Sequence, residues 1–338
     1  MQTALYDPED GYYTRRQQIG GRGDFYTNAN IHPLFGVLLA EKLVVLLNGL
    51  PDSSEPMFIE VGAGTGLLAE HVLRHLEREH HEWFERITYV MVEASPAMKQ
   101  VEQERLQHMP NITWKSFDEF EAGTVTGIIF SNELIDAMPV HRLQWRNGRF
   151  HELYVDWRDG RWIWVAGPCS CQEVEAFVMN WSLGLDEGQV IEVNLNALRY
   201  LELIARLLKH GYLLTIDYGD RRERLFSAAR REGTVRSFYR HVLIDDVLER
   251  IGDQDITASV DFTTLIEHGE RVGLRLVEFK TQRQFLLEQG LMERLAAMRE
   301  SGGAGVEFYQ SLLAAKHLLM PGALGDHFKV LIQQKACD

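Results

Sequence analysis

"FIEVGAGTGLLAEHVL", residues Phe58 to Leu73, is the stretch on which the reading of this chain turns. A short apolar run carrying Glu60 leads into three alternate glycines, Gly62, Gly64 and Gly66, with Ala63 between the first two, and an amphipathic run follows. Glycine lets the backbone turn sharply and approach a ligand with no Cβ in the way. A helix opening behind such a turn offers unpaired N–H groups to the ligand. The same residues also suit a bare strand-to-helix turn. A P-loop requires Lys followed by Ser or Thr, and neither stands here. A nicotinamide fingerprint places two residues between its second and third glycines, whereas here there is one and position 67 is Leu. The G-x-G-x-G spacing points instead to the turn used for S-adenosylmethionine.

Outward from this stretch the pattern alternates. "MFIEV" reads as a strand and Leu67 to Glu79 as a helix; "TYVMVEAS" is a second strand, followed by a helix from Pro96 to about Gln107. "ITWKS" and "TGIIFSNE" are a third and a fourth strand, and "GYLLTIDYGD", behind a helix over about Leu195–Lys209, is a fifth. Apolar strands alternating with helices predict a doubly wound, mostly parallel sheet covered on both faces. Upstream, a helix capped by Asn30 with Pro33 in its first turn runs to Asn48-Gly49. Residues 142–166 break the rhythm, and the turn signals Asn147-Gly148 and Asp159-Gly160 predict an antiparallel meander. Residues 221–262 read as charged and irregular, and "LRLVEFKTQRQFLL" with "HFKVLIQQ" as a closing pair of strands. The expected organisation is an amino-terminal lid and helix over 1–50, then one domain over 51–338 with insertions at about 142–166 and 221–262. The lid expectation rests on Tyr12, Tyr13, Phe25 and Tyr26, because aromatics are scarce in disordered tails.

The second strand ends in Glu93, whose carboxylate can accept hydrogen bonds from both hydroxyls of a ribose. NAD enzymes use the same device, and a helix-capping carboxylate ahead of Ser95-Pro96 is the plain alternative. After the third strand, Ser116 or Phe117 is placed to lie against an adenine. The fourth strand runs into "SNELIDAMPVH", which sets Asn132, Glu133 and Asp136 at the edge where the reactive end of a ligand lies in such sheets. If that loop turns helically, Glu133 and Asp136 share a face and can clamp a guanidinium through paired charge-assisted hydrogen bonds. A carboxylate there can also take the proton released as a bond to carbon forms. Helix capping by Asn132 and Asp136 is the structural alternative, and His141 reads as structural.

The formal net charge of −14 argues against general binding to nucleic acid or an anionic membrane. Cys169, Cys171 and Cys337 make neither a disulfide framework nor a zinc site, so a reducing compartment, no metal and a cytoplasmic location are expected. The most apolar segment, Leu34 to Leu50, is interrupted by Glu41 and Lys42 and is too short for membrane insertion.

With these segments in hand, the chain resembles the MidA-type S-adenosylmethionine-dependent methyltransferases, whose mitochondrial members assist assembly of respiratory complex I. The similarity runs through "YDPEDGYYTRRQQIGGRGDFYTNANIHPLFG", "EVGAGTGLLA", "VEASPAM", "SNELIDAMPVH", "IDYGD", "GTVRSFYRHVL", "GDQDITASVDF" and "LLMPGALGDHFKVL", in order. The resemblance implies a class I methyltransferase fold with a seven-stranded sheet, S-adenosylmethionine as cofactor, and transfer of its methyl group to an arginine of a protein substrate. It implies that Glu60, Gly62, Ala63, Gly64 and Gly66 line the cofactor loop, that Glu93 binds the ribose, and that Asn132, Glu133 and Asp136 sit at the methyl-transfer end. It places Asp24, Phe25 and Thr27 over the cofactor and His241, Asp255 and Asp261 around the acceptor pocket. Members usually carry a further helix before "MQTALYDP", so a shortened amino terminus is expected. A methyltransferase for a small molecule and a non-catalytic assembly factor are the competing readings, and the oligomeric state is open, with a homodimer among the options.

Overall fold

A computed structural model of the chain describes residues 1–14, 32–51, 55–179, 181, 183–240, 242–244, 246–302, 305–320 and 324–335. The first strands alternate with helices as their apolar runs require. β1 (Met57–Val61) is followed by a helix over Leu67–Glu79, β2 (Thr88–Val92) by one over Pro96–Leu106, and β3 (Ile112–Trp114) leads to β4 (Val125–Asn132). β5 (His141–Arg146), β6 (Arg149–Arg158) and β7 (Arg161–Gly167) form the meander, and β8 (Val190–Val193) pairs with its β5 edge. Both turn pairs read from the sequence have the left-handed backbone of a tight hairpin, with φ of 50° and 74° at Asn147-Gly148 and 50° and 76° at Asp159-Gly160. A helix over Leu195–Leu207 then delivers β9 (Leu208–Asp220).

Residues 221–262 hold more order than their composition suggests. β10 (Arg236–Tyr239), β11 (Val242–Ile244) and β12 (Asp255–Thr257) make a separate antiparallel sheet, and the two-residue β13 (Val260–Asp261) pairs in parallel with the end of β9. These strands are two to four residues long, too short to show a period in the sequence. β14 (Leu274–Thr281) and β15 (Phe328–Lys335) are the expected closing pair, but "QRQFLL" is helical, in a helix over Gln282–Glu288 capped by Thr281.

The main sheet runs β14-β15-β9-β4-β1-β2-β3, with β15 alone antiparallel to its neighbours in this path. Its strands bury both faces, so alternate residues divide between two cores. Phe58, Ile128, Phe130 and Leu214 join the helices over Pro33–Leu47 and Leu67–Glu79, whereas Ile59, Val61, Ile129 and Leu213 join those over Leu195–Leu207 and Phe262–Arg271. Burying a side chain of this size stabilises by about 1.5–3 kcal/mol before entropy is counted. The helix over Pro33–Leu47 is capped by the His32 ring, whose Nδ1 accepts from the Leu34 N–H at 3.2 Å. Asn30, the cap expected from sequence, lies outside the described residues, and Pro33 starts the helix as expected.

Because β1 is flanked by β2 on one side and β4 on the other, the chain reverses its winding direction at β1. The carboxyl ends of β1 and β4 therefore open a crevice, the usual ligand position in an open α/β sheet. No helix among the described residues is long and apolar enough to cross a membrane.

Candidate active site

The glycine turn leaves β1 with φ of 68°, 60° and 71° at Gly62, Gly64 and Gly66. A Cβ on Gly64 would meet no atom within 4 Å, because that side of the loop faces a cavity of about 430 Å³. The Gly62 N–H donates to the Val92 carbonyl (3.0 Å) and the Gly66 N–H to the Ala63 carbonyl (3.0 Å), which fixes the loop against the end of β2.

Glu60, Gly62, Ala63, Gly64, Glu93, Asn132, Glu133 and Asp136 all line this cavity, so the structure brings together residues spread over three strand ends. Asp255 joins them from the insertion. Gly66 is not on the wall; it ends the turn and caps the following helix. Ser116 and Phe117, expected to face an adenine, are not on the wall either. Ser116 caps a single helical turn, Phe117–Glu119, by exchanging hydrogen bonds with Glu119, and Phe117 packs edge-on against Tyr200 in the core. Ala94, Ser95 and Met98 form the wall that follows β2. Asp24, Phe25, Thr27 and His241 lie outside the described residues. Asp261 serves structure: it accepts from the Thr264 N–H (3.2 Å) at the head of a helix and pairs with Arg222 at 3.1 Å.

The acidic loop is not helical. Glu133 takes a left-handed conformation (φ 55°), and its carboxylate accepts from the Asn132 amide at 3.0 Å. The next turn is held by Asp217, a fully buried residue of β9 that carried no role in the sequence reading. Its Oδ2 accepts from the backbone N–H groups of Ile135 (2.9 Å) and Asp136 (3.3 Å). The insertion braces the loop from outside, with the Ala258 N–H donating to the Asp136 carbonyl at 2.9 Å.

Burial sets the charge states. Asp136 is pushed up to about 6 by burial, against the Tyr218 hydroxyl, nearby backbone amides and Arg236. Asp217 is driven well above the carboxylate range, first by burial and then by the charges of Asp136 and Glu133. Glu60 rises to about 7 through burial, although the Tyr89 hydroxyl donates to it at 2.6 Å. Burial also raises Glu93, and burial together with the neighbouring Glu93 charge lifts Glu102 to about 8. Glu102 is itself fixed by the Trp114 indole N–H at 2.8 Å.

The amino-terminal segment supplies the opposite wall through Gln2, Tyr6, Tyr12, Tyr13 and Thr14. Of the four aromatics on which the lid expectation rests, Tyr12 and Tyr13 line this wall and Phe25 and Tyr26 lie outside the described residues; Tyr6 carried no expectation. The Tyr6 hydroxyl donates to the Ala137 carbonyl (3.0 Å), that of Tyr13 to Asp255 (2.7 Å), and Ser95 to the Tyr13 carbonyl (3.0 Å). Nothing in the local sequence announces these partners.

The residues present fit S-adenosylmethionine. The Asn132 amide oxygen is buried without a protein hydrogen-bond partner, so it can receive an N–H from a ligand. Gly64 leaves room for a ligand against the backbone, and Glu93 offers a carboxylate for ribose hydroxyls. Sheet order, glycine turn and acidic second strand together define a class I methyltransferase. A family model described as "Putative S-adenosyl-L-methionine-dependent methyltransferase" matches residues 38–280, and the chain belongs to that family. It is similar, at 27% identity over 97% of its length and 78% of the relative's, to "Protein arginine methyltransferase NDUFAF7, mitochondrial" of Rattus norvegicus. The Drosophila melanogaster homolog is also 27% identical, over 79% of this chain and 64% of its own length. A crystal structure of a COG1565 superfamily member from Burkholderia thailandensis bound to S-adenosyl-homocysteine superposes with a TM-score of 0.88 at 28% identity, covering 100% of this chain and 87% of that one. The cofactor is S-adenosylmethionine.

Proposed function

We propose that the protein transfers a methyl group to a guanidinium nitrogen of an arginine in a protein substrate, such as a respiratory-complex subunit. One observation carries this reading. Among the described residues lining the cavity, Glu60, Glu93, Glu133, Asp136 and Asp255 are acidic and none is Lys, Arg or His. A cavity so charged favours a cationic acceptor over an anionic one. The names of the mitochondrial relatives support the choice of arginine.

In this reading Gly62, Ala63 and Gly64 carry the cofactor, Glu93 holds its ribose and Asn132 takes one of its N–H groups. The cofactor, when bound, supplies an electrophilic methyl on a sulfonium. Glu133 and Asp136 receive the guanidinium by charge-assisted hydrogen bonds and align one nitrogen for in-line attack. Asp136 is predominantly ionised at neutral pH while lying close enough to it to accept the proton lost as the N–C bond forms. Asp217 keeps the Asp136 backbone in place through the N–H groups its Oδ2 accepts.

The test is incubation of the purified protein with labelled cofactor and a lysate from cells lacking the gene, followed by peptide mapping. Methylarginine in a defined protein is the expected product; label confined to small molecules would defeat the reading. Asp136→Asn is expected to lower kcat at least tenfold with cofactor affinity within threefold of the parent.

A further inference from the structure

Away from the cavity, three side chains with metal-ligating atoms converge on one point. Glu41 stands on the helix over Pro33–Leu47, His75 on the helix over Leu67–Glu79, and His80 at the latter's carboxyl end. His75 Nε2 lies 2.7 Å from Glu41 Oε1 and His80 Nε2 lies 3.1 Å from Glu41 Oε2. The donor atoms all fall within 4.8 Å of one another. We propose that Glu41, His75 and His80 form a binding site for a divalent transition-metal ion, zinc in the first instance, which ties these two helices together.

Two imidazole nitrogens and one carboxylate are a common zinc donor set, and four residues between the histidines is a spacing such sites use. Zinc holds nitrogen and oxygen donors at about 2.0–2.2 Å, so tetrahedral neighbours stand about 3.3 Å apart. The two histidine–carboxylate separations already lie near that value, and the ligand atoms of the two rings, no more than 4.8 Å apart, approach it by rotation of the half-buried His80 end. His75 is buried, which fixes its ring, whereas Glu41 and His80 are half-buried and leave a side open for water as a further ligand. The alternative occupant of the space between the rings is the proton of a His–carboxylate hydrogen bond.

Two features limit the affinity. The guanidinium of Arg294 is 3.7 Å from Glu41 and competes for the carboxylate. The Nδ1 of His75 is buried with no hydrogen-bond partner, so no outer carboxylate or carbonyl supports the metal-binding tautomer. Such support is commonly worth ten- to a hundredfold in affinity. The expected site is therefore a moderate one, stronger once Arg294 is removed.

The experiment titrates the chelator-treated full chain with Co²⁺, followed by displacement with Zn²⁺ and equilibrium dialysis. One equivalent per chain is expected, with the visible absorption of a low-coordinate Co²⁺ complex that Zn²⁺ abolishes, and a rise in Tm on adding Zn²⁺. His80→Ala, at a half-buried position that leaves the fold intact, is expected to weaken binding at least tenfold and to remove the Tm response. Arg294→Ala is expected to tighten binding at least threefold, and Cys169→Ser with Cys171→Ser to leave it unchanged. Absence of a stoichiometric complex would overturn the proposal and leave the cluster as a hydrogen-bonded network. Unchanged binding in His80→Ala would overturn it equally, since the ion would then sit elsewhere.

Discussion

Gly64 has a left-handed backbone and open space where a side chain would be, so a substitution there is read by the ligand before it is read by the fold. Gly64→Val costs about 1–2 kcal/mol of backbone strain and projects two methyl groups into the cavity. The expected outcome is a folded protein by circular dichroism with no calorimetric signal for S-adenosylmethionine. Asp217 presents the reverse case, remote from solvent and holding two backbone N–H groups of the acidic loop. Asp217→Ala leaves those buried donors unpaired, and urea denaturation is expected to show a loss of about 2–4 kcal/mol. Asp217→Asn keeps one acceptor oxygen for the Ile135 and Asp136 N–H groups but turns an amide N–H toward the Tyr218 N–H, which donates to Oδ1 at 2.9 Å, so its loss is expected to be smaller than that of Asp217→Ala but not nil. Both residues lie in segments that stand out in the sequence. The glycine's role could be read there because its reason is local; the aspartate's could not, because its partners are more than 80 residues away.

At the scale of elements, the region after β9 is fastened by one arginine. Arg222 pairs with Asp261 at 3.1 Å and with Glu267 at 3.0 Å, donates to the Thr264 hydroxyl at 3.0 Å, and lies over the Trp181 ring at 4.3 Å. Burial raises the Asp261 carboxyl, and the Arg222 charge is the first influence opposing it. Arg222→Ala strands a buried acid at a helix head, and thermal or urea unfolding is expected to show a loss of about 3 kcal/mol or more. Arg222→Lys is expected to recover only part of this, since an ammonium cannot reproduce the guanidinium fork. The strands and helices of the main sheet were legible because burial on both faces leaves continuous apolar runs between turn formers. β10, β11 and β12 were not: each is at most four residues long and is held by pairing with the others.

Across the whole molecule, stability depends on pH through carboxyls that burial pushes up. Glu60 at about 7, Asp136 at about 6 and Glu102 at about 8 hold protons in the fold at pH values where the unfolded chain has released them. Unfolding then releases protons, so their contribution is fully present below about pH 4 and is lost as pH rises toward 8. Calorimetry of the cofactor-free protein is expected to give a lower Tm at pH 8 than at pH 6. Glu60→Gln, which keeps an acceptor for Tyr89, is expected to return up to roughly 3 kcal/mol of that loss at pH 8. The chain's local patterns were enough to establish a doubly wound sheet and to mark the glycine turn and the Asn132–Asp136 loop, which the structure sets around one cavity. Period, turn chemistry and strand order depend on residues only a few places apart. The remaining cavity wall depended on how the sheet closes: Tyr13 meets Asp255 across 242 positions and Tyr6 meets Ala137 across 131. Contacts of that range exist only once the strands have paired, and no window of sequence contains both partners.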